Sequence, residues 1–363
     1  MRDLALKVLN GNQDNGIEVI DSAPFPTCVP YACELVGVAI HLTLATTTRH
    51  SWDCLINDVR VVANTVVVQS GFTQGVTSPS AKVGPFTKIF LEAGDRIALR
   101  SNGETVTVST NATYQYIFKP LSPRPVGEVW FWGDHMSDIA AVTGSNAACA
   151  PIASKVVGYA ASLAAAVDAD VTIDLQVDGV SSGSTVTVPN LSTGGLFTPQ
   201  PALAVKAGAQ LQAFSGGQGT TGGSNRACWV LQPDGPSHPA GWIFLPFNNR
   251  INLGSTEGFV AAVCPVNGRV RNLVIHATSP VDTETNLALH INGQVLAVPG
   301  LGALKYVLTV DTLDESGHSM PIANAHDVYI AEGDLIQVFS GGEMLTAANS
   351  SGGVWIEPLE GIQ

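Results

Sequence analysis

The chain has 363 residues and a formal net charge of −13 at pH 7, with 17 Lys and Arg against 30 Asp and Glu. This acidic balance excludes a general nucleic-acid binder, because phosphate contacts need a basic face. Only 13% of residues are charged, while Gly and Pro number 37 and 21, a composition typical of many short strands joined by turns.

The first predicted element in chain order is a short apolar strand at residues 4–9, which a polar stretch follows at residues 10–16. We expect residues 1–16 to form an N-terminal arm that adds a strand to a neighbour. The first repeat is expected to open at residues 17–20. The N-terminus has no apolar stretch long enough for a secretory signal, and no run of about 18 apolar residues predicts a membrane span. The sequence therefore predicts a soluble chain made in the cytosol.

The dominant feature of the sequence is a threefold internal repeat. A glycine turn followed by an apolar strand recurs at residues 94–103, 208–217 and 333–342. Two more landmarks keep the same order in each copy: a strand that ends in a tight turn and a later strand that runs into proline. The turns lie at residues 55–58, 175–179 and 289–293, and the proline-terminated strands at 116–120, 229–233 and 354–358. A shared order of landmarks indicates a true repeat.

The predicted fold class is therefore all-β, with three tandem β-sandwich domains at residues 17–121, 126–233 and 240–363. Proline-rich linkers separate them at residues 121–125 and 234–239. Each copy holds about seven or eight alternating strands, which fits either a jelly roll or an immunoglobulin-like sandwich. Residues 160–166 have helical propensity, but their place in the repeat predicts a strand. The variable segments 64–85, 180–199 and 294–320 are predicted to be recognition loops.

Three of the six cysteines, Cys28, Cys149 and Cys264, are predicted to occupy the same place in each copy. Two interpretations are open: a small buried apolar side chain is needed there, or the three thiols approach one another around a pseudo-threefold axis. Cys33 and Cys54 are a candidate disulfide on neighbouring strands. The chain has no CxxC or paired-histidine spacing for zinc, and no metal or cofactor is predicted.

Catalytic and calcium-binding patterns are sparse. The sharpest acid/base pair is Asp134 with His135, although such a dipeptide at a strand end is more often a turn. No P-loop or HExxH motif is present, and no catalytic residue and no enzyme activity are predicted. Two acidic groups have oxygens suited to calcium, although ordinary acidic loops look the same. These are Asp168, Asp170 and Asp174, and Asp311, Asp314 and Glu315.

Tryptophans provide the candidate surface for a ligand or partner. Trp130 and Trp132 are two residues apart on a predicted strand and so share one face. An exposed aromatic pair stacks on sugars or packs against a partner protein, and Trp242 opens the next copy in a similar place. Core packing is the competing interpretation for each of them.

The repeated Gly/Thr/Val-rich sandwiches, the acidic balance and turns such as 93–95 and 332–334 resemble virion surface proteins of tailed bacteriophages. These are capsid decoration proteins, head fibres and tail-fibre tips. The Ala-Gly-Asp and Glu-Gly-Asp turns also resemble those of trimeric jelly-roll heads, although the middle copy departs with Ala207-Gly208-Ala209.

The resemblance implies a non-enzymatic structural protein of the virion, either a capsid decoration protein or a fibre-like component, assembled in the host cytoplasm. Its implied partners are the major capsid protein or other virion proteins, in a homo-oligomer or as an internal pseudo-trimer. The alternative is a carbohydrate-binding adhesin that recognises a host-surface glycan through the tryptophans or the long loops.

Overall fold

The structure is a computed structural model, and it describes residues 2–13, 27–42, 48–68, 74–77, 88–101, 112–136, 142–144, 148–163, 166–197, 202–216, 225–235, 240–246, 251–252, 259–277, 285–295, 297–298, 302–303, 305–308, 318–321, 328–340 and 349–359. No helix occurs in these ranges. The described part of the chain thus contains no helix long and apolar enough to cross a membrane.

Strands make up all the regular structure, and they fall into three groups along the chain. The first group is β1 (Arg2–Asp3), β2 (Lys7–Gln13), β3 (Thr27–Cys28), β4 (Cys33–Leu42), β5 (His50–Ile56), β6 (Val59–Val68), β7 (Gln74–Thr77), β8 (Ile89–Leu91), β9 (Arg96–Ser101), β10 (Ala112–Pro120) and the linker strand β11 (Arg124–Pro125). The second is β12 (Val129–Met136), β13 (Val142–Gly144), β14 (Ala148–Cys149), β15 (Ser154–Leu163), β16 (Val171–Val177), β17 (Val180–Val188), β18 (Gly194–Phe197), β19 (Leu203–Val205), β20 (Gln210–Gly216) and β21 (Asn225–Pro233). The third is β22 (Ile243–Pro246), β23 (Ile251–Asn252), β24 (Phe259–Val263), β25 (Gly268–Ala277), β26 (Thr285–Ile291), β27 (Gln294–Val295), β28 (Ala297–Val298), β29 (Gly302–Ala303), β30 (Lys305–Leu308), β31 (His318–Pro321), β32 (Val328–Ile330), β33 (Leu335–Ser340) and β34 (Asn349–Pro358).

Each group, called here repeat 1, 2 or 3, forms a two-sheet jelly roll. In repeat 1 the strand orders are β2-β10-β4-β7 and β3-β9-β5-β6, with β8 also paired to β4. Repeat 2 has β12-β21-β15-β18 and β13-β20-β16-β17, and repeat 3 has β22-β34-β25-β31 and β24-β33-β26-β27. When strands that continue one another along a sheet are counted as one position, the described strands of each repeat take positions 1-8-3-6 and 2-7-4-5, which is an antiparallel jelly-roll order. The predicted all-β repeat fold is confirmed, and the strand order selects the jelly roll over the immunoglobulin grouping.

The repeated turns follow from residues that tolerate a left-handed backbone. Gly94, Gly208 and Gly333 have φ values of 93°, 83° and 89° at equivalent turns, where a side chain would be strained. Tight hairpins join β5 to β6, β16 to β17 and β26 to β27, and their Asn, Asp and Gly residues also have positive φ. Both sets of predicted turns are confirmed. The predicted strand at residues 160–166 is confirmed as far as Leu163, where β15 ends.

Two expectations from the sequence need correction. None of the three predicted recognition loops is a single loop, because strands lie within each of them: β7 within 64–85, β17 and β18 within 180–199, and β28, β29 and β30 within 294–320. Strand β17 is a Ser/Thr-rich edge strand whose first residues face solvent, so it lacks the apolar alternation that marks a buried strand. The N-terminal segment is not a free arm, because β2 pairs with β10 as the first strand of repeat 1. Residues 17–20, expected to open that repeat, lie outside the described residues.

The three jelly rolls close into a ring. Strand β3 of repeat 1 contacts β15 and β21 of repeat 2, β14 of repeat 2 contacts β34 of repeat 3, and β24 of repeat 3 contacts β4 and β10 of repeat 1. The opening strands β2, β12 and β22 also contact one another. Each repeat therefore uses one surface toward the next repeat and a different surface toward the previous one. Such heterologous contacts close when the rotation completes a circle.

Candidate functional site

The three seams of the ring bring side chains of different repeats into buried contact. We name them seam 1–2, seam 2–3 and seam 3–1 after the repeats that meet there. At each seam, one repeat presents the outer face of a sheet, here called the receiving face, and the neighbouring repeat packs onto it. Strand pairing shows which residues are equivalent from one repeat to the next. The receiving face carries Val8, Ala39 and Ile117 in repeat 1, Trp130, Ala160 and Val230 in repeat 2, and Phe244 and Trp355 in repeat 3. One geometry thus recurs with different side chains.

Seam 1–2 joins the core of repeat 1 to the outer face of a repeat 2 sheet. Trp130, Ala160, Cys228 and Val230 of repeat 2 belong to the same buried cluster as the repeat 1 core. The ring of Trp130 lies 5.9 Å from Phe118 and 6.2 Å from Tyr31, measured between centroids. A tryptophan buried this way contributes both apolar area and aromatic contacts to the seam.

Arg96 anchors the same seam with polar contacts. Its side chain is 8% exposed, and it donates from Nη1 to Thr193 Oγ1 at 2.8 Å and from Nη2 to the carbonyl of Leu163 at 2.9 Å. A longer contact of 3.4 Å joins its Nε to Ser162 Oγ. Within its own repeat, Arg96 pairs with the exposed carboxylate of Asp58 at 2.8 Å. The planar guanidinium satisfies several acceptors at once, which a lysine could not do.

A buried carboxylate, Glu128, organises the linker at this seam. Arg124 donates two hydrogen bonds to it at 2.9 and 2.8 Å, and Trp130 Nε1 donates a third at 3.0 Å. Lys7 Nζ donates to the Glu128 carbonyl at 2.6 Å, and the Arg124 guanidinium lies 3.5 Å from the centre of the Tyr31 ring. Burial raises the pKa of Tyr31. The linker is therefore clamped to repeat 1.

Seam 2–3 is aromatic. Phe244 and Trp355 of repeat 3 are buried in the same cluster as the repeat 2 core, and their ring centroids are 5.1 Å apart. Trp242 packs against this cluster while remaining partly exposed. Since Phe244 and Trp355 stand where repeat 2 has Trp130 and Val230, the two seams bury bulky groups in the same geometry.

Seam 3–1 is built from smaller groups. The backbone N–H of Val263 donates to Gln115 Oε1 at 2.6 Å, across the seam from repeat 3 to repeat 1. Ala39 of repeat 1 forms a small buried cluster with Val263 and Leu335 of repeat 3. Leu335 occupies the position of Arg96, so a leucine stands here where seam 1–2 has its arginine anchor.

One of the three candidate tryptophans, Trp130, is buried by the ring. It is 1% exposed because repeat 1 covers the face on which it stands, so core packing, the competing interpretation, holds for this residue. The side chain of Trp132 lies outside the described residues. Trp242 keeps a partly exposed face beside seam 2–3 and remains a candidate for a partner surface.

The three cysteines are not fully equivalent. Cys28 and Cys149 pair with Arg96 and Gln210, whereas Val263 pairs with the matching Leu335. Cys264 therefore lies one residue further on, at the position of Val29 and Ala150, whose backbone bonds it repeats. In the sequence, a proline follows directly after each of the equivalent residues, at Pro30, Pro151 and Pro265. Alignment on these prolines would have shown the one-residue shift of Cys264.

The thiols also point to different partners. Cys28 Sγ donates across seam 1–2 to the carbonyl of Ala161 at 3.2 Å, while Cys264 Sγ donates within its own repeat to Val266 at 3.1 Å. This places Cys28 and Cys264 apart, and the side chain of Cys149 lies outside the described residues. Burial raises the pKa of Cys28 to about 11 and that of Cys264 to about 12. Both thiols are therefore poor nucleophiles near neutral pH.

Cys33 and Cys54 do not form the candidate disulfide. Both are buried free thiols, and burial raises the pKa of each to about 12.

The remaining candidate chemistry is dispersed. No group of three or more His, Cys, Asp or Glu side chains suited to a metal occurs in the described ranges. The Asp174 carboxylate accepts hydrogen bonds from Ser181 and Gln176, and Asp170 accepts one from the Asn190 backbone. The other acidic group, residues 311–315, and the side chains of Asp134 and His135 lie outside the described residues. The described acidic side chains thus serve turns and strand ends.

Comparison with known proteins gives one structural neighbour to report. No protein-family model and no curated protein sequence matches the chain. The crystal structure of the major capsid protein P2 from bacteriophage PM2 aligns with 64% of this chain and 97% of its own, at 6% sequence identity and a TM-score of 0.20. A TM-score of this size does not establish a shared fold.

Proposed function

We propose that this chain is a non-enzymatic structural protein of a tailed-phage virion, a capsid decoration protein that binds the shell as a single-chain pseudo-trimer. The observation that supports this most is the closure of three jelly rolls into one ring through three heterologous seams. One polypeptide then presents the shape of a trimer, which suits a threefold-related position on a shell.

The closed ring favours a cap over a fibre. In a homotrimeric fibre head, the surface that receives a neighbour would stay free on each chain until two more chains arrive. Here the receiving faces of all three repeats are occupied by repeats of the same chain. We therefore expect a compact monomer before the chain binds its partner.

The chemistry of the described residues supports a structural role. The charged anchors Arg96 and Glu128 make their contacts within the chain. Burial raises the pKa values of Cys28, Cys33, Cys54 and Cys264. Low charge and dry, apolar seams are typical of permanent assemblies. The adhesin alternative loses Trp130 as a stacking platform, because that residue is buried.

Shell binding tests the proposal. The purified chain is mixed with virions and with empty shells of tailed phages, sedimented, and examined by electron cryomicroscopy of the bound particles. We expect co-sedimentation and three-lobed density on threefold-related sites. The proposal fails if the chain has no affinity for virions or any phage shell protein, and binding to a bacterial glycan array in that case would favour the adhesin.

A further inference from the structure

Seam 3–1 differs from the other two seams in covalent connection. Strand β10 ends at Pro120 and β12 begins at Val129, while β21 ends at Pro233 and β22 begins at Ile243. Short linkers therefore bridge seams 1–2 and 2–3, and each reaches at most roughly 30 Å when extended. No linker bridges seam 3–1, since β34 and β2 lie near opposite ends of the chain. Only this seam can open without restraint from a linker.

Non-covalent contacts point to the same seam. Seam 1–2 is held by the Arg96 anchor and by the linker clamp at Glu128, and seam 2–3 by Phe244 and Trp355. The described hydrophobic cluster that crosses seam 3–1 consists of Ala39, Val263 and Leu335, and Val8 and Ile117 are buried on the same face of repeat 1. None of these five side chains is aromatic or charged.

The polar contact at seam 3–1 is incomplete. Gln115 is 2% exposed and accepts the Val263 hydrogen bond, but its Nε2 has no hydrogen-bond partner among the described residues. A buried amide that lacks one partner weakens the contact in which it takes part.

We propose that the ring opens at seam 3–1 and that the face of repeat 1 exposed by opening binds repeat 3 of a second copy of this chain. That face carries Val8, Ala39, Gln115 and Ile117, all buried in the closed ring. The intermolecular contact reuses the intramolecular seam, so it needs no new surface. The contact between repeat 1 and repeat 3 is heterologous. Exchange between copies therefore produces either closed dimers or longer chains of opened molecules. This inference does not depend on the proposed virion role.

The two positions Ala39 and Ala160 allow a matched comparison. Both are alanines at equivalent places on the receiving face, 1% and 0% exposed, at seam 3–1 and seam 1–2 respectively. In the Ala39→Cys and Ala160→Cys variants, the rate at which a soluble reagent modifies the new thiol reports opening of each seam. Peptide mass mapping separates the new thiol from the native ones. We expect the thiol of Ala39→Cys to react roughly tenfold faster.

Isotope mixing tests the second copy without any substitution. Wild-type chains with and without heavy-isotope label are mixed and incubated at about millimolar concentration, the range of effective concentration at which linked domains meet within one chain. Native mass spectrometry then measures the mass of each species. Mixed dimers or larger mixed species support the proposal. A population that stays purely monomeric overturns exchange, and equal or faster labelling of Ala160→Cys overturns the choice of seam.

Discussion

Replacement of Arg96 tests whether seam 1–2 stabilises the whole chain. In Arg96→Ala the carbonyl of Leu163 and the hydroxyl of Thr193 lose their donors while they remain near a buried seam. Hydrogen bonds that involve a charged group contribute about 1.5–3 kcal/mol each, so these two account for about 3–6 kcal/mol. The Asp58 pair adds little, because that carboxylate is 66% exposed and solvent screens it.

The assay is urea unfolding followed by circular dichroism and tryptophan fluorescence. We expect Arg96→Ala to lower the free energy of unfolding by about 3–6 kcal/mol, and Arg96→Lys to recover only part of it because the fork geometry is lost. Lys155→Ala is the matched surface control, since its pair with Asp234 spans 3.8 Å between half-exposed side chains. We expect that control to stay within about 0.5 kcal/mol of wild type.

A loss below about 1 kcal/mol for Arg96→Ala would refute this account, since it would mean that the buried arginine contributes no more than an exposed one. A large loss for Lys155→Ala as well would show that the assay reports general fragility of the chain. Near-UV circular dichroism separates a local opening of seam 1–2 from loss of the fold.

Three further predictions concern other parts of the ring. Trp130→Ala should lower the free energy of unfolding by about 3–5 kcal/mol, measured in urea, because it empties a buried aromatic site; a change near zero would contradict its place in the core. Burial raises the pKa of Cys28 to about 11 and of Cys54 to about 12. The folded chain therefore holds these protons longer than the unfolded chain, so stability should be constant below pH ~8 and fall as pH rises from ~9 toward ~12. The fall should be shallower in Cys54→Ala, and an equal slope in both proteins would count against this. Asn292→Ala should cost about 2 kcal/mol, because the turn needs a φ of 51° and loses two side-chain hydrogen bonds, whereas the exposed Val295→Ala should change thermal stability little.

Local rules were sufficient to predict the repeat from the sequence. Glycine at residues 94, 208 and 333 marks a backbone that other residues avoid, and proline at 120, 233 and 358 ends a strand because it has no N–H to donate. Both signals act over a few residues. The landmarks therefore lie in the structure where the sequence placed them.

The seams could not be predicted in the same way. Arg96 looked like an ordinary strand residue, because its partners Leu163 and Thr193 are distant in the chain and belong to another repeat. Glu128 likewise has no local signature of burial. Trp130 was a candidate partner surface because it shares a strand face with Trp132, and the sequence does not show that a neighbouring repeat buries it.

Fusion of three jelly rolls in one chain has a consequence for recognition. A homotrimer must place the same side chain at all three seams, but this chain places Arg96, Gln210 and Leu335 at one equivalent position. Each seam can then have its own set of side chains, and only one order of the repeats satisfies all three seams. The same freedom extends to the outer surface, where Phe90 and Tyr329 are exposed at a position that repeat 2 fills with Ala204. A threefold-symmetric partner would therefore meet three unequal lobes, and because a threefold rotation leaves such a partner unchanged, the three orientations of the ring on it would be equal in energy.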